Sequence, residues 1–114
     1  MKRLIILSLV FLMTGCVSPS DLKSSKPILS AVTSKNPKQY ALCVLPYWQD
    51  ARSEAAMSET ESGYRLVVGA FKLTDELLEI SSTSSGSKVD FFQRVAWMPG
   101  LGRAAIESSV IKCL

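Results

Sequence analysis

The chain has 114 residues, with 13 basic and 10 acidic side chains, a formal net charge of +3 and no histidine. This length suits one small domain with a tail. The absence of histidine excludes a Ser-His-Asp or Cys-His catalytic arrangement within the chain and disfavours a transition-metal site. Lys2 and Arg3 belong to a segment that we expect to be removed, so the rest is close to neutral and has no electrostatic footprint for nucleic acid.

The N-terminal segment has the layout of a secretory signal. Lys2 and Arg3 form a short basic region, residues 4–13 are almost entirely apolar, and two small residues follow them. The apolar run is too short to span a bilayer, which takes about 20 residues. We therefore expect residues 1–15 to be a signal peptide that is cut off.

The segment ends in Met13-Thr14-Gly15-Cys16, which resembles the lipobox of bacterial lipoproteins, with Met13 where the family more often has leucine. The resemblance implies cleavage before Cys16, a diacylglycerol on the Cys16 sulfur, and often acylation, for example by palmitate, of the new amino group. Two or three acyl chains give stable membrane attachment. In the enterobacterial sorting pattern that this segment resembles, a residue other than aspartate after the cysteine, here Val17, implies delivery to the outer membrane, facing the periplasm. The alternative is a plain secretory signal with an incidental cysteine.

Two cysteines remain once Cys16 is assigned to the lipid. Cys43 and Cys113 are an even pair in a chain exported to an oxidising compartment, so we predict that they form a disulfide. The bond would close a loop of about 70 residues and stabilise the fold by about 4 kcal/mol through chain entropy. The alternative is two free thiols, with neither a histidine nor a C-x-x-C spacing to activate them.

Residues 16–38 are predicted to be a lipidated flexible linker, because they are rich in Ser, Pro and Lys and carry no sustained hydrophobic period. A helix is predicted from Pro37 to Ala51, with Asn36 as N-cap and Pro37 at the first helical position. Pro46 predicts a kink within this helix rather than two elements. The apolar face has helical spacing and comprises Tyr40, Val44, Tyr47, Trp48 and Ala51.

The hydrophobic period then changes from helical to two. Strands are predicted over residues 64–71, 77–82 and 87–97, with a turn at 72–76, a hairpin turn at 83–86 and a further short strand at 57–60. A closing helix is predicted over residues 103–114, with Ile106, Val110, Cys113 and Leu114 on one face.

The predicted fold class is α+β, a small two-layer periplasmic domain in residues 39–114 with the order α-β-β-β-α. Short connections between successive strands favour an antiparallel meander over a parallel sheet. A sheet with one apolar face would carry both helices on that face. The disulfide between Cys43 and Cys113 would staple the two helices together.

Three segments resemble catalytic or ligand-binding motifs but lack the sequence context that those motifs require. The segment from Gly100 to Ala105 has the form of a dinucleotide fingerprint, yet no strand or ribose-binding carboxylate follows in this sequence, so turn glycines are the better interpretation. The segment from Ser85 to Lys88 matches the S-x-x-K motif of penicillin-binding enzymes but straddles a turn glycine. Asp75, Glu76 and Glu79 are interpreted as a solvated turn and strand start rather than calcium ligands. We therefore expect no catalytic residue, metal site or cofactor.

The alternation of the strands predicts which residues face the helices, namely Leu66, Val68, Leu78, Ile80, Phe91 and Val95. The opposite face then combines the apolar residues Val67, Leu77 and Phe92 with Arg65 and Arg94. Aromatic and arginine side chains are concentrated at protein contact sites, so we predict a partner surface there. The alternatives are that residues 28–32 fold back and cover this face, or that scattered apolar residues sit in water.

These observations predict a lipid-anchored outer-membrane lipoprotein that faces the periplasm and acts as a non-enzymatic accessory or binding module of the cell envelope. Its expected partners are the membrane, through the lipid anchor, and an envelope protein or a second copy, but not nucleic acid. The helix with Cys43 and Trp48, the Ser-Gly-Tyr strand start, the Gly-Ser-Lys-Val hairpin and the Cys-Leu terminus resemble small uncharacterised lipoproteins of Gram-negative bacteria.

A second resemblance implies a different function. The stretch Ser-Ser-Gly-Ser-Lys-Val at residues 84–89 is similar to a segment of periplasmic lysozyme inhibitors. It implies an inhibitor or effector acting on a cell-wall enzyme such as a lysozyme. That family is all-β, which the predicted helical face from Tyr40 to Ala51 contradicts, so we keep this function only as the alternative.

Overall fold

The computed structural model describes residues 17–70 and 73–114, and these fold into three helices and five strands. The helices are α1 (Pro19–Lys23), α2 (Pro37–Ala51) and α3 (Arg103–Lys112). The strands are β1 (Leu29–Thr33), β2 (Ala56–Glu59), β3 (Gly63–Ala70), β4 (Leu73–Thr83) and β5 (Gly86–Gln93). The α+β class is confirmed. The predicted order α-β-β-β-α is wrong, because α1 and β1 precede the first predicted helix and β2 adds a strand.

The strands form one antiparallel sheet in the order β1-β5-β4-β3-β2. β3, β4 and β5 make the predicted meander, with the hairpin turn at Ser84 and Ser85. β2 pairs with β3 at one edge, close to the short strand predicted at residues 57–60. β1 pairs with β5 at the other edge, where Ala31 lies opposite Val89. The meander is therefore the centre of a wider sheet.

The segment predicted to be a flexible linker, residues 16–38, contributes both α1 and β1 to the domain, so the fold begins well before residue 39. The five residues of β1 show only a short alternation, which is too little to predict a strand by itself. Their hydrogen bonds come from β5, about 60 residues further along the chain. The linker prediction failed because this pairing is not local.

Local capping signals place α2 as predicted. The Oδ1 atom of Asn36 accepts a hydrogen bond from the backbone N–H of Gln39 at 2.8 Å, and Pro37 is the first helical residue. Pro46 lies inside the helix, which continues to Ala51. A proline removes one backbone hydrogen bond, but here it does not divide the element. The prediction of one helix rather than two is confirmed.

The main core lies between the sheet and the pair α2 and α3. Trp48 is fully buried, its ring centroid is 5.9 Å from that of Phe91, and its Nε1 donates to Oγ of Ser109 at 3.0 Å. The Tyr40 hydroxyl donates to the carbonyl oxygen of Val110 at 2.7 Å, and burial raises the pKa of Tyr40. Five of the residues predicted to face the helices are buried in this core: Leu66, Val68, Leu78, Ile80 and Phe91.

Two predictions of strand ends are wrong. β4 begins at Leu73, because β3 stays paired with it down to the pair of Ala70 and Leu73, so most of the predicted turn at residues 72–76 is strand. β5 ends at Gln93 rather than at residue 97. Val95, which was predicted to face the helices, lies beyond that end with a φ of 52°.

The predicted disulfide is confirmed. Cys43 in α2 is bonded to Cys113, the residue directly after α3, with a Cα–Cα distance of 5.8 Å. The C-terminus is also tied to the end of β1, since the Thr33 hydroxyl donates to the carbonyl oxygen of Leu114 at 2.8 Å. The disulfide therefore joins the two helices of the main core, as expected from the sequence.

Candidate functional site

The sheet face opposite α2 and α3 carries the predicted partner surface. Val67, Leu77 and Phe92 are register neighbours in one row across three strands of this face. Leu77 is fully buried and Phe92 is only 5% exposed, because Leu22 of α1 packs on them with Val17 and Val67 at the edge. The predicted exposure of Leu77 and Phe92 is therefore wrong.

The covering element, α1, is held by a capping box. Oγ of Ser18 accepts from the backbone N–H of Asp21 at 3.2 Å, and the Asp21 carboxylate accepts from the backbone N–H of Ser18 at 3.1 Å. Hydrogen bonds from the Ser18 backbone and side chain lower the pKa of Asp21. The capping box sets the start of the helix and so aims Leu22 at the sheet.

Residues 28–32 are the segment predicted as the alternative cover for this face. That segment extends the sheet instead: the backbone N–H of Ile28 donates to the carbonyl oxygen of Phe91 at 2.8 Å, and β1 follows directly. The cover is the stretch from Val17 to Lys23. The tail does fold back on the domain, but with its first residues rather than its middle.

Val17 is fixed to the start of β4. Its carbonyl oxygen accepts from the backbone N–H of Thr74 at 2.8 Å, and its side chain packs against the cluster around Leu22. Cys16, the predicted lipid attachment site, is the preceding residue and lies outside the described residues. We call the end of the domain where β4 begins and β5 ends, marked by Val17, Thr74 and Gln93, the Val17 end.

The rest of this sheet face is a polar row. Arg65 donates to the Glu79 carboxylate at 2.6 Å, and the Ser30 hydroxyl donates to the Asp90 carboxylate at 2.6 Å. Lys88 adds a longer ion pair to Asp90 at 3.8 Å. These charges are largely satisfied within the sheet. The uncovered part of the predicted partner surface is therefore polar, and the apolar row is the part that α1 covers.

The carboxylates Asp75, Glu76 and Glu79 are 6%, 0% and 7% exposed, so their interpretation as a solvated turn and strand start is wrong. Each is paired with an arginine: Asp75 with Arg94 at 2.5 Å and Arg52 at 3.4 Å, Glu76 with Arg103 at 2.9 Å, and Glu79 with Arg65 at 2.6 Å. Across residues 17–70 and 73–114, no three potential metal ligands cluster together. The positive charge beside these buried carboxylates comes from arginine.

Glu76 is the most perturbed carboxyl of this network. Burial raises its pKa to about 7, and the nearby Gln93 amide and Arg103 guanidinium oppose that rise only in part. Nε of Arg103 lies 2.9 Å from a Glu76 oxygen, but the contact is an ion pair without an aligned hydrogen bond. Glu76 therefore changes its charge near neutral pH inside the folded domain.

Arg103 also shapes the connection from β5 to α3. Its side chain is buried, and Nη1 donates to the carbonyl oxygens of Val95 at 2.5 Å and of Met98 at 3.3 Å. Nη2 donates to the carbonyl oxygen of Arg94. The Arg103 guanidinium thus binds three carbonyl groups of the connection between β5 and α3, and it also pairs with the Glu76 carboxylate. We call residues 95–102 the tryptophan loop, after Trp97.

The end of the tryptophan loop contains the glycines that resemble a dinucleotide fingerprint. Gly100 and Gly102 have φ values of 90° and 70°, in the left-handed region that favours glycine. Gly102 is the N-cap of α3, and a Cβ there would lie 3.0 Å from that of Ala51. The prediction of ordinary turn glycines ahead of a helix agrees with this geometry.

Two residues that organise this end of the domain were missed in the sequence. Leu22 had a usable signal, because Ser18-Pro19-Ser20-Asp21 places an N-cap, a proline and an acidic residue at helix-start spacing. Arg103 had none, since its partners are a strand residue and three carbonyls in a loop. Contacts of that kind exist only after the sheet has formed.

Residues 17–70 and 73–114 include no helix long and apolar enough to cross a membrane. They define a class of small α+β domain, in which a disulfide-linked helix pair covers one face of an antiparallel sheet and a short N-terminal helix covers part of the other. Comparison with protein-family models, curated proteins and solved structures found no match to this chain.

Proposed function

We propose that this chain is a lipid-anchored lipoprotein of the outer membrane that faces the periplasm and serves as a non-enzymatic accessory or binding module of the cell envelope. The observation that carries the proposal is Met13-Thr14-Gly15-Cys16 at the end of a basic and then apolar segment. Cys16 would become the first residue of the mature chain and would carry the diacylglycerol.

The disulfide supports export. Disulfides persist in oxidising compartments such as the bacterial periplasm and are rare in the cytosol. Cys43 and Cys113 are bonded to each other, which leaves Cys16 as the cysteine available for a lipid. A disulfide between two of the three cysteines, with the third left for lipidation, is thus consistent with a lipoprotein.

The docking of Val17 changes how such an anchor would work. A chain that is flexible from residue 16 to residue 38 would let the domain stand off the bilayer. With Val17 bonded to Thr74 and α1 packed on the sheet, Cys16 is one residue from the folded domain, at a Cα–Cα distance of about 3.8 Å from Val17. The domain would therefore lie against the membrane surface.

The alternative is an inhibitor or effector acting on a cell-wall enzyme such as a lysozyme. An inhibitor would insert a protruding polar loop into a catalytic cleft, and the exposed hairpin turn at Ser84 and Ser85 is a polar loop of that kind. The accessory module is supported by the apolar side chains of Trp97, Met98 and Leu101, which the tryptophan loop exposes. Contact with an envelope protein or a second copy remains part of the proposal. It would use the exposed residues of the domain rather than Leu77 and Phe92, which α1 covers.

Mass spectrometry of the full chain from the membranes of a Gram-negative host tests the proposal. The expected product lacks residues 1–15 and carries a diacylglycerol on Cys16, while Cys16→Ser remains unlipidated. The matched control is Cys43→Ser with Cys113→Ser, which removes the other two cysteines and should keep the lipid. A wild-type chain cleaved at another position and free of lipid would contradict the proposal.

A further inference from the structure

The tryptophan loop places three large apolar side chains in solvent. Trp97 is 81% exposed, Leu101 53% and Met98 43%, whereas Trp48, the other tryptophan, is fully buried. Residues 95–102 contain no charged side chain. Exposed apolar residues that lie together mark contact sites more often than scattered ones do.

The loop is built to hold this arrangement. The Arg103 guanidinium binds the carbonyl oxygens of Val95 and Met98 on either side of Trp97, and the backbone N–H of Met98 donates to the carbonyl oxygen of Val95 at 3.0 Å. Val95 and Leu101 adopt positive φ values of 52° and 57°, which are uncommon for bulky residues. Strained backbone of this kind persists where the surrounding structure enforces it.

The loop emerges at the Val17 end of the domain. The backbone N–H of Thr74 donates to Val17, and the carbonyl oxygen of the next residue, Asp75, accepts from the backbone N–H of Arg94 at 2.8 Å. The tryptophan loop starts directly after Arg94. Val17 and the residue that precedes the loop are therefore bonded to neighbouring residues of one strand.

We propose that the tryptophan loop inserts into the interfacial region of the bilayer to which Cys16 is attached, so that Trp97, Met98 and Leu101 form a second membrane contact. This inference rests on the proposed lipid anchor. Tryptophan is enriched at membrane–water interfaces, and exposed apolar side chains gain by burial at the boundary between headgroups and acyl chains. An anchor and a loop contact at one end would hold the domain in a single orientation, with the hairpin of β4 and β5 pointing away from the membrane.

The test uses the lipidated full chain in vesicles of phosphatidylethanolamine and phosphatidylglycerol, with and without lipids brominated near the headgroup. Trp97 and Trp48 are the two tryptophans of the chain, so Trp97→Phe leaves the buried Trp48 as the reference. Brominated lipid should lower the wild-type emission, by at most about half if the two tryptophans emit equally, because one of them lies at the interface. It should leave Trp97→Phe nearly unchanged, and iodide in the water should not quench Trp97.

A matched control moves the tryptophan to another exposed position. Val32 is 76% exposed in β1, near Thr33 and the C-terminus rather than the Val17 end. In Trp97→Phe with Val32→Trp, the new tryptophan should be quenched by iodide and not by brominated lipid. Equal quenching by brominated lipid at both positions would show that the whole domain lies flat, and that would overturn the proposed orientation.

The remaining outcomes are also decisive. Trp97 quenched by iodide but not by brominated lipid overturns the inference and leaves the lipid anchor standing. Trp97 shielded from both quenchers means that a second copy covers the loop, which also overturns it. The mass of the reconstituted chain is measured first, and a chain without lipid would reject the proposed function together with the membrane contact that rests on it.

Discussion

Among single residues, Glu76 has the carboxyl group whose pKa depends most on the fold. Its side chain is fully buried at the end of the sheet, and burial raises its pKa to about 7 from an ordinary value of 4.5. Arg103 lies beside it but does not form an aligned hydrogen bond with it. A group whose pKa rises on folding binds a proton more tightly in the folded state, so folding is favoured at low pH.

We predict that Glu76 makes the domain lose stability as the pH rises. Between pH 4.5 and about 7 the unfolded chain has released the Glu76 proton while the folded chain retains it, so the stabilising contribution declines across this window and levels off above it. Each pKa unit corresponds to about 1.4 kcal/mol, so the total change in the free energy of unfolding is about 3 kcal/mol.

Urea unfolding of the wild type and of Glu76→Gln from pH 4 to pH 8 measures this change. As the pH rises, the free energy of unfolding of the wild type should fall relative to that of Glu76→Gln. Glu59→Gln, on the exposed strand β2, controls for the loss of one acidic group. Parallel pH profiles for the wild type and Glu76→Gln would show that Glu76 titrates as in an unfolded chain.

At the scale of elements, α1 shows how a short segment gains structure from its surroundings. A helix of five residues does not form alone in water, because fixing the backbone of the first turn costs more free energy than its hydrogen bond provides. The capping box of Ser18 and Asp21 sets its start, and burial of Leu22 against Leu77 and Phe92 holds it in place. α1 is therefore the element that we expect to open first.

We predict that Leu22→Ala detaches α1 while the rest of the domain stays folded. The loss of this buried side chain should cost about 2 kcal/mol, the low end for such truncations, since α1 can move away rather than leave a cavity. Amide hydrogen exchange in residues 17–23 should accelerate, and an apolar dye should bind the uncovered Leu77 and Phe92. Lys23→Ala, an exposed position of the same helix, should change neither signal. Unchanged exchange in Leu22→Ala would mean that Leu22 does not hold α1.

At the scale of the whole molecule, the disulfide and the N-terminal cover act on different layers. Cys43 and Cys113 connect α2 to the end of α3 and close most of the chain into one loop, with a sequence separation of 70 residues. Val17 and α1 tie the start of the described chain to the other face of the sheet. The sheet is thus held on both faces by segments distant from it in sequence.

We predict that replacing both cysteines, by Cys43→Ser with Cys113→Ser, lowers the free energy of unfolding by about 4 kcal/mol through the loop entropy of the unfolded chain. Chemical denaturation of the variant should match that of the wild type under reducing conditions, since both lack the same bond. A loss below about 1 kcal/mol would show that the helix pair is held by packing alone.

The features that depend on neighbouring residues can be predicted from the amino-acid sequence. Asn36 and Pro37 mark the start of α2, and the alternation from Leu66 to Phe91 sets the face of the meander that meets the helices. Two cysteines in a chain that is predicted to be exported predict the disulfide that the structure has. The lipid on Cys16 also rests on local sequence and remains a prediction. Caps, periods and motifs are written in adjacent residues, so they can be interpreted without a fold.

The other features depend on contacts between residues that are distant in the chain. β1 forms because β5 supplies its hydrogen bonds, and α1 forms because it packs on Leu77 and Phe92 of the sheet. The carboxylates can be buried because arginines from distant elements pair with them. The exposure of Trp97 follows from Arg103, which holds the loop from inside the domain. These features join residues that are far apart in the chain, and such contacts become favourable only once folding has brought their partners together.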